Sequence, residues 1–347
     1  MNDILVVSSL RIKKLFGKHD LSIDFKKLNV IVGKNGVGKT TLLKIIRGLT
    51  TGIDFVSYSD ICESIELNFN DGNVICYGTI TDGLIESATN AEIPDSIIIE
   101  EDTTINEFIS QMKGIENISD EERAAIAKKV FQTFLKSDIF LKQASQFYHE
   151  KLKDNRSQVF RNFWHTSKLQ SSVNIRYIST VNISANAGNN MDLGNSIEKN
   201  ILDLAIYDEL RLLLKNENKV VSDNFIAQLN EFLHESGKTI KRDHDEWVFI
   251  NESAHTLRLD QLSSGERQLV YILATAANTC GKPTLFLMDE PEVSLHLSWQ
   301  EKIIDAIMAI HPQIQIIAVT HSPGIIMNGH MDAYVEMRDI MQVSENA

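Results

Sequence analysis

Gly33-Lys34-Asn35-Gly36-Val37-Gly38-Lys39-Thr40 is the stretch from which the rest of this 347-residue chain is read. It has the spacing of a phosphate-binding loop, and its flanks supply the context such a loop requires. Before it, Leu28 to Val32 is a short apolar, β-branched run that suits a strand buried on both faces. After it, Thr40 to Arg47 carries apolar residues at helical spacing. Glycines let successive backbone N–H groups curl around phosphate oxygens at a helix N-terminus, where the dipole already favours negative charge. Asn35, Gly36 and Gly38 belong to that cradle, Lys39 would reach the β- and γ-phosphates, Thr40 would hold Mg2+, and Thr41 would support the α-phosphate. Strand, glycine-rich loop and helix together predict an α/β fold that binds a phosphorylated nucleotide.

Three further motifs lie near the other end. Thr284-Leu285-Phe286-Leu287-Met288-Asp289-Glu290 reads as a buried strand ending in two carboxylates, and strand C-termini are where an open α/β sheet places its ligand. Asp289 would bind Mg2+, directly or through water, and Glu290 would polarise the attacking water. Leu262-Ser263-Ser264-Gly265-Glu266-Arg267-Gln268 opens a helix running to about Ala277, with Ser263 and Glu266 at capping-box spacing. Its N–H and hydroxyl donors also suit a phosphate. Ile314 to Val319 is another core strand, ending in Thr320-His321-Ser322-Pro323, where His321 could hydrogen-bond a γ-phosphate or serve only structure.

In combination, GKNGVGKTT (33–41), LSSGERQ (262–268), LFLMDEPEVSLHLSWQ (285–300) and IIAVTHSP (316–323) resemble the ABC-type ATPases of the SMC, Rad50 and RecF branch. The likeness is closer to the stand-alone prokaryotic ATPases of phage defence, the PtuA-like subunits of Septu and retron systems. The resemblance implies that Ser263, Ser264 and Gly265 close on the ATP of a second copy, that 294–296 form the D-loop, and that His321 is the switch histidine. It implies a homo-oligomer, at least a dimer, working beside a separately encoded effector, a nuclease or toxin. A RecF-like repair ATPase that binds DNA directly is the other reading. The family's glutamine loop has no clear counterpart; Val173 to Ile178 and the following Ser179 to Ile183 stand about where it belongs. The 221 residues between Thr41 and Ser263 are too few for a long SMC coiled coil and more than a transporter ATPase inserts.

Length, at about 150 residues per domain, allows two domains. The expected division is 1–90 and 237–347 as two parts of one ATPase domain, with 91–236 a mainly helical insertion containing a strand near 173–178. Within the first part, Ser64 to Phe69 and Val74 to Tyr77 flank the turn Asn70-Asp71-Gly72-Asn73 as a hairpin, and with the opening strands predict an antiparallel edge. Thr103 to Gln170 reads as helical, as do the run that follows Ser196 to about Leu214 and the run from Asp223 to His234. Three scattered cysteines, none at metal-ligand spacing, argue against a disulfide framework or zinc site. The first twenty residues hold no signal-peptide core and no apolar stretch approaches a membrane span, so a cytoplasmic protein without a membrane partner is expected.

The net charge of −13 disfavours broad coating of nucleic acid, since that binding depends on Lys and Arg displacing counterions. Much of the excess lies between Glu92 and Glu122, ten acidic residues against one lysine, which is a solvated face or a dock for a basic partner. His149 to Lys168 reverses the sign, with five basic residues interleaved with Phe160, Phe163 and Trp164. Nucleic acid could bind there, although a helix with aromatics in the core has the same sequence signature.

Overall fold

The computed structural model describes residues 7–51, 61–70, 74–80, 147–150, 158–162, 173–179, 190–192, 198–244 and 246–344. The chain divides into two compact units, one of 1–25, 45–172 and 338–347, the other of 26–44 and 173–337.

The first unit holds a seven-stranded antiparallel sheet in the order β17-β2-β1-β4-β5-β7-β6. Its strands are β1 (Val7–Leu15), β2 (His19–Asp24), β4 (Ser64–Phe69), β5 (Val74–Ile80), β6 (Phe147–Glu150), β7 (Gln158–Asn162) and β17 (Met341–Val343). Alternation along the strands becomes rows across them. Leu10 lies opposite Ile23 and Leu67, and Ile12 opposite Leu21 and Ile65, and all six are buried. Such cross-strand apolar pairs fix register, because a slip by one residue would turn every row to solvent. β6 and β7 lie within the stretch whose periodicity predicts helix. Pairing with β5 and with each other satisfies their backbones as strands, a case of tertiary pairing overriding a local pattern. The rest of that stretch, the acidic run 92–122, and Lys151, Lys153, Arg156, Phe163, Trp164 and Lys168 of the basic segment lie outside the described residues.

The second unit is built on a five-stranded, wholly parallel sheet in the order β16-β3-β15-β14-β8. Its strands are β3 (Leu28–Val32), β8 (Asn174–Ser179), β14 (Thr284–Asp289), β15 (Ile314–Thr320) and β16 (Tyr334–Glu336). Every residue of β14 and β15 is buried, as continuous apolar runs in a parallel sheet require. The helices are α1 (Lys39–Thr51), of which 39–44 belong to this unit, α2 (Ile201–Leu214), α3 (Lys219–Leu233), α4 (Ser264–Asn278) and α5 (Leu297–Ile310). α2, α3 and α5 pack on α4, around a core that includes Phe225, Phe232 and Leu269. Burying each such side chain contributes roughly 1.5–3 kcal/mol. Phe225 meets Trp247 and Phe232 meets Trp299 edge to face, with centroids 5.4 and 6.1 Å apart.

Helix starts follow the caps. α2 begins at Ile201, later than the Ser196 reading, because Asn200 accepts a hydrogen bond from the Leu202 N–H, while 198–200 form the short strand β10 (Glu198–Asn200) against β9 (Asn190–Asp192). α3 begins at Lys219, before the expected Asp223, capped by Asn218. A three-stranded antiparallel sheet, β11 (Lys238–Asp243), β12 (Glu246–Asn251) and β13 (Thr256–Leu257), completes the unit. Among the described residues no helix is long and apolar enough to cross a membrane.

Register sets up the site. Val32 pairs with Thr320, and Asp289 pairs with both Val319 and Ser179, so β3, β15, β14 and β8 end side by side. The chain leaves those ends into Gly33, His321 and Glu290, all at the carboxyl edge of one parallel sheet.

Candidate nucleotide site

The loop after β3 turns on two glycines. Gly36 and Gly38 have φ of +80° and +98°, conformations that side-chain-bearing residues rarely adopt. α1 then starts at Lys39, with the Leu42 N–H donating to the Gly38 carbonyl at 2.9 Å. Lys34, Asn35 and Gly36 are exposed at the tip of the loop, and Thr41 is half-buried.

Lys39 is only 5% exposed. Its Nζ donates to the Gly33 carbonyl at 2.8 Å and the Lys34 carbonyl at 3.3 Å, lies 2.8 Å from His321 Nε2, and forms a 4.0 Å ion pair with Glu290. Burial lowers its pKa, while Glu290, Asp289 and Glu292 favour the charged form. Thr40 Oγ1 donates to Asp289 Oδ1 at 2.9 Å, and the Tyr177 hydroxyl donates to Asp289 Oδ2 at 3.1 Å. Asp289 is thereby fixed through both oxygens, from α1 and from the neighbouring strand β8.

Glu290 sits just past β14 with φ of +52°, a left-handed conformation that costs a non-glycine residue about 1–3 kcal/mol and clusters at functional sites. Its N–H still donates to the Val319 carbonyl at 2.9 Å, so the strand ends without an orphaned donor. The carboxylate lies 3.1 Å from His321 Nε2 and also accepts the His321 backbone N–H at 3.1 Å. Burial first, then the adjacent Glu292 carboxyl, push the Glu290 pKa up to about 8, against the opposing pull of the His321 N–H and Lys39.

Lys39, Thr40, Asp289, Glu290 and His321 therefore converge. Ser263, Ser264 and Gly265 lie at the start of α4 in the same unit. Ser263 caps α4 in the expected capping box: its Oγ accepts the Glu266 N–H at 3.2 Å, and its own N–H donates to Glu266 Oε2 at 2.6 Å. Gly265 packs so tightly that a Cβ there would lie 2.5 Å from the Ser294 carbonyl oxygen. Gln268 donates to the Pro291 carbonyl at 2.9 Å, tying α4 to the loop that follows Glu290.

Three contributors escape sequence reading. Tyr177 is recognisable only once β8 is known to pair with β14. Glu292 gathers donors from 320–322, a contact across the sheet edge. Glu266, read as a capping residue, also accepts from Ser236 at 2.6 Å and from Lys238 at 2.8 Å. The segment sought as a glutamine loop, 180–183, lies outside the described residues.

The donor set fits Mg2+. Thr40 and Asp289 supply a hydroxyl and a carboxylate oxygen 2.9 Å apart, hard ligands of the kind Mg2+ takes in ones or twos, with substrate phosphates and water completing its octahedron.

The chain is 26% identical over 338 residues to the Septu protein PtuA of Bacillus thuringiensis, covering 93% of this chain and 73% of that protein. It is 23% identical over 365 residues to the Retron Vc95 probable ATPase of Vibrio cholerae serotype O1 biovar El Tor, covering 90% and 69%. A solved SMC head bound to the C-winged helix domain of ScpA covers 97% of both chains with a TM-score of 0.49 and 14% identity. Residues 28–328, most of the chain and all of the converging side chains, match one family throughout. The chain belongs to that family, described as "AAA domain, putative AbiEii toxin, Type IV TA system".

Proposed function

We propose that this chain binds and hydrolyses ATP, dimerises on ATP, and thereby senses for or controls a separately encoded effector, a nuclease or toxin, in prokaryotic phage defence. The observation that carries the ATPase reading is the meeting of Lys39, Thr40, Asp289, Glu290 and His321 at the carboxyl ends of β3, β14 and β15. The biological role is supported by the family and by relatives that are a Septu protein and a retron ATPase.

In this reading the N–H groups of 35–41 cradle the phosphates, and Lys39 stabilises charge as the β–γ bridge breaks. Thr40 and Asp289 hold Mg2+, which neutralises phosphate charge when bound. Glu290 orients a water whose oxygen adds to the γ-phosphorus as the bond to the bridging oxygen of ADP breaks. The water's protons pass to the carboxylate and to the departing phosphate. His321, already between Lys39 and Glu290, hydrogen-bonds the γ-phosphate. Ser263, Ser264 and Gly265 serve the nucleotide of a second copy. Parts 1–90 and 237–347, with β8 added to their parallel sheet, form the ATPase domain, and the rest of 91–236 is the insertion through which an effector is met.

Phosphate release by the purified full chain with ATP and Mg2+ tests the reading. Wild type turns over, Lys39→Ala loses nucleotide binding, and Glu290→Gln lowers kcat by about a hundredfold or more. Turnover in Glu290→Gln equal to wild type would contradict it.

A further inference from the structure

Glu292 is a carboxylate that the hydrolysis scheme leaves without a task, yet it is nine-tenths buried. Its Oε1 accepts three hydrogen bonds from consecutive residues: the Thr320 hydroxyl at 2.5 Å, the His321 N–H at 3.0 Å and the Ser322 N–H at 3.2 Å. Its Oε2 is buried with no hydrogen-bond partner. Burial of a carboxylate is costly, and here a single oxygen offsets that cost by gathering three donors from the β15 exit, the Ser322 N–H being shared with Thr320 Oγ1 at 2.8 Å. The consequence falls on His321. Its N–H is shared between Glu292 and Glu290, and its ring reaches Lys39 at 2.8 Å and Glu290 at 3.1 Å. Ser322 is held a second time, donating through its hydroxyl to Gln300 at 2.7 Å. The carboxylate itself sits on a braced loop: the Pro291 carbonyl before it accepts from Gln268, and its own carbonyl accepts the Leu295 N–H at 2.9 Å.

We propose that Glu292 is a positioning residue that clamps 320–322 through one acceptor oxygen and so fixes the His321 ring against Lys39 and Glu290. The assignment rests on the ATPase reading for its kinetic consequence and on geometry alone for its structural one. What the clamp requires is an acceptor at Oε1, and all three bonds run to that atom, so an amide nitrogen in place of Oε2 leaves them intact.

The test combines steady-state phosphate release with backbone amide exchange on the full chain. Glu292→Ala is expected to lower kcat by about a hundredfold while KM for ATP changes less than about threefold, the signature of a misplaced group rather than lost binding. Exchange at His321 and Ser322 should quicken by about tenfold or more, with the amides of β3 unmoved. Glu292→Gln should keep at least about a third of wild-type kcat and near-wild-type exchange. If Glu292→Ala fails to fold, Thr320→Val replaces it: removing one of the three donors should lower kcat by about three- to tenfold at unchanged KM and quicken exchange at His321, the amide that does not use the Thr320 hydroxyl as an acceptor. Unchanged kcat and exchange in either variant would overturn the proposal, as would Glu292→Gln falling as far as Glu292→Ala. If wild type releases no phosphate, the ATPase reading fails, and amide exchange in the same variants still decides whether Glu292 is the clamp.

Discussion

Asp289 shows how much a single side chain depends on its neighbours. One oxygen accepts from Thr40 and the other from Tyr177, so its orientation is set before any ligand arrives. Outer partners of this kind tune metal affinity strongly. Tyr177→Phe should therefore raise the Mg2+ concentration for half-maximal ATP turnover by about tenfold, with kcat at saturating Mg2+ changed little. A Mg2+ titration of the rate checks it, and an unshifted midpoint would remove Tyr177 from the site. The difference in legibility between these residues is physical. Lys39 and Thr40 are readable because the phosphate cradle is eight consecutive residues, and Asp289, Glu290 and His321 because strand tips follow apolar runs. Tyr177 and Glu292 act through strand pairing and loop folding, which no local spacing encodes.

Helix α4 is held at its N-terminus by a buried carboxylate. Glu266, 1% exposed, completes the capping box and accepts from Ser236 and Lys238. Burial pushes its pKa up, but the hydrogen bonds from Lys238, Ser236 and the Ser263 N–H, with the Lys238 charge, outweigh burial and leave it below the ordinary glutamate value. A carboxyl depressed on folding contributes stability that is full above its unfolded value near 4.5 and is lost as pH falls through the lower folded value. Unfolding midpoints measured from pH 6 downward should accordingly decline below about pH 4.5, and less steeply in Lys238→Met, which loses roughly 2–4 kcal/mol at pH 7 by leaving a buried charge unpaired. Gly265→Ala belongs to the same element. Its methyl would meet the Ser294 carbonyl, so a loss of about 1–3 kcal/mol in denaturant unfolding is expected, and no loss would show that the two loops part freely. The capping box was legible from Ser263 and Glu266 three residues apart. The link to Lys238 was not, since it depends on the turn at Gly237, where the chain takes φ of +66° to enter β11.

Across the whole molecule, the converging side chains belong to one unit, and the strands that build it come from distant sequence: β3 near the start, β8 in the middle, β14 to β16 near the end. Buried apolar runs announced β3, β14 and β15, while β16, β17, β6 and β7 were hidden because short strands take their identity from the partner they pair with. Lys39 with its carboxylates stands at the ends of β3 and β14, and the hydrogen bonds of Ser263 run within α4. Under the proposed function two copies are needed, each completing the other's site, as in an isologous interface. The most direct measurement is ATP turnover by an equimolar mixture of Lys39→Ala and Ser264→Arg chains, each without activity alone. Half of the dimers should then be mixed, each with one intact site, so the mixture should recover about a quarter of wild-type turnover. A mixture as silent as its components, under conditions where wild type turns over, would contradict the account.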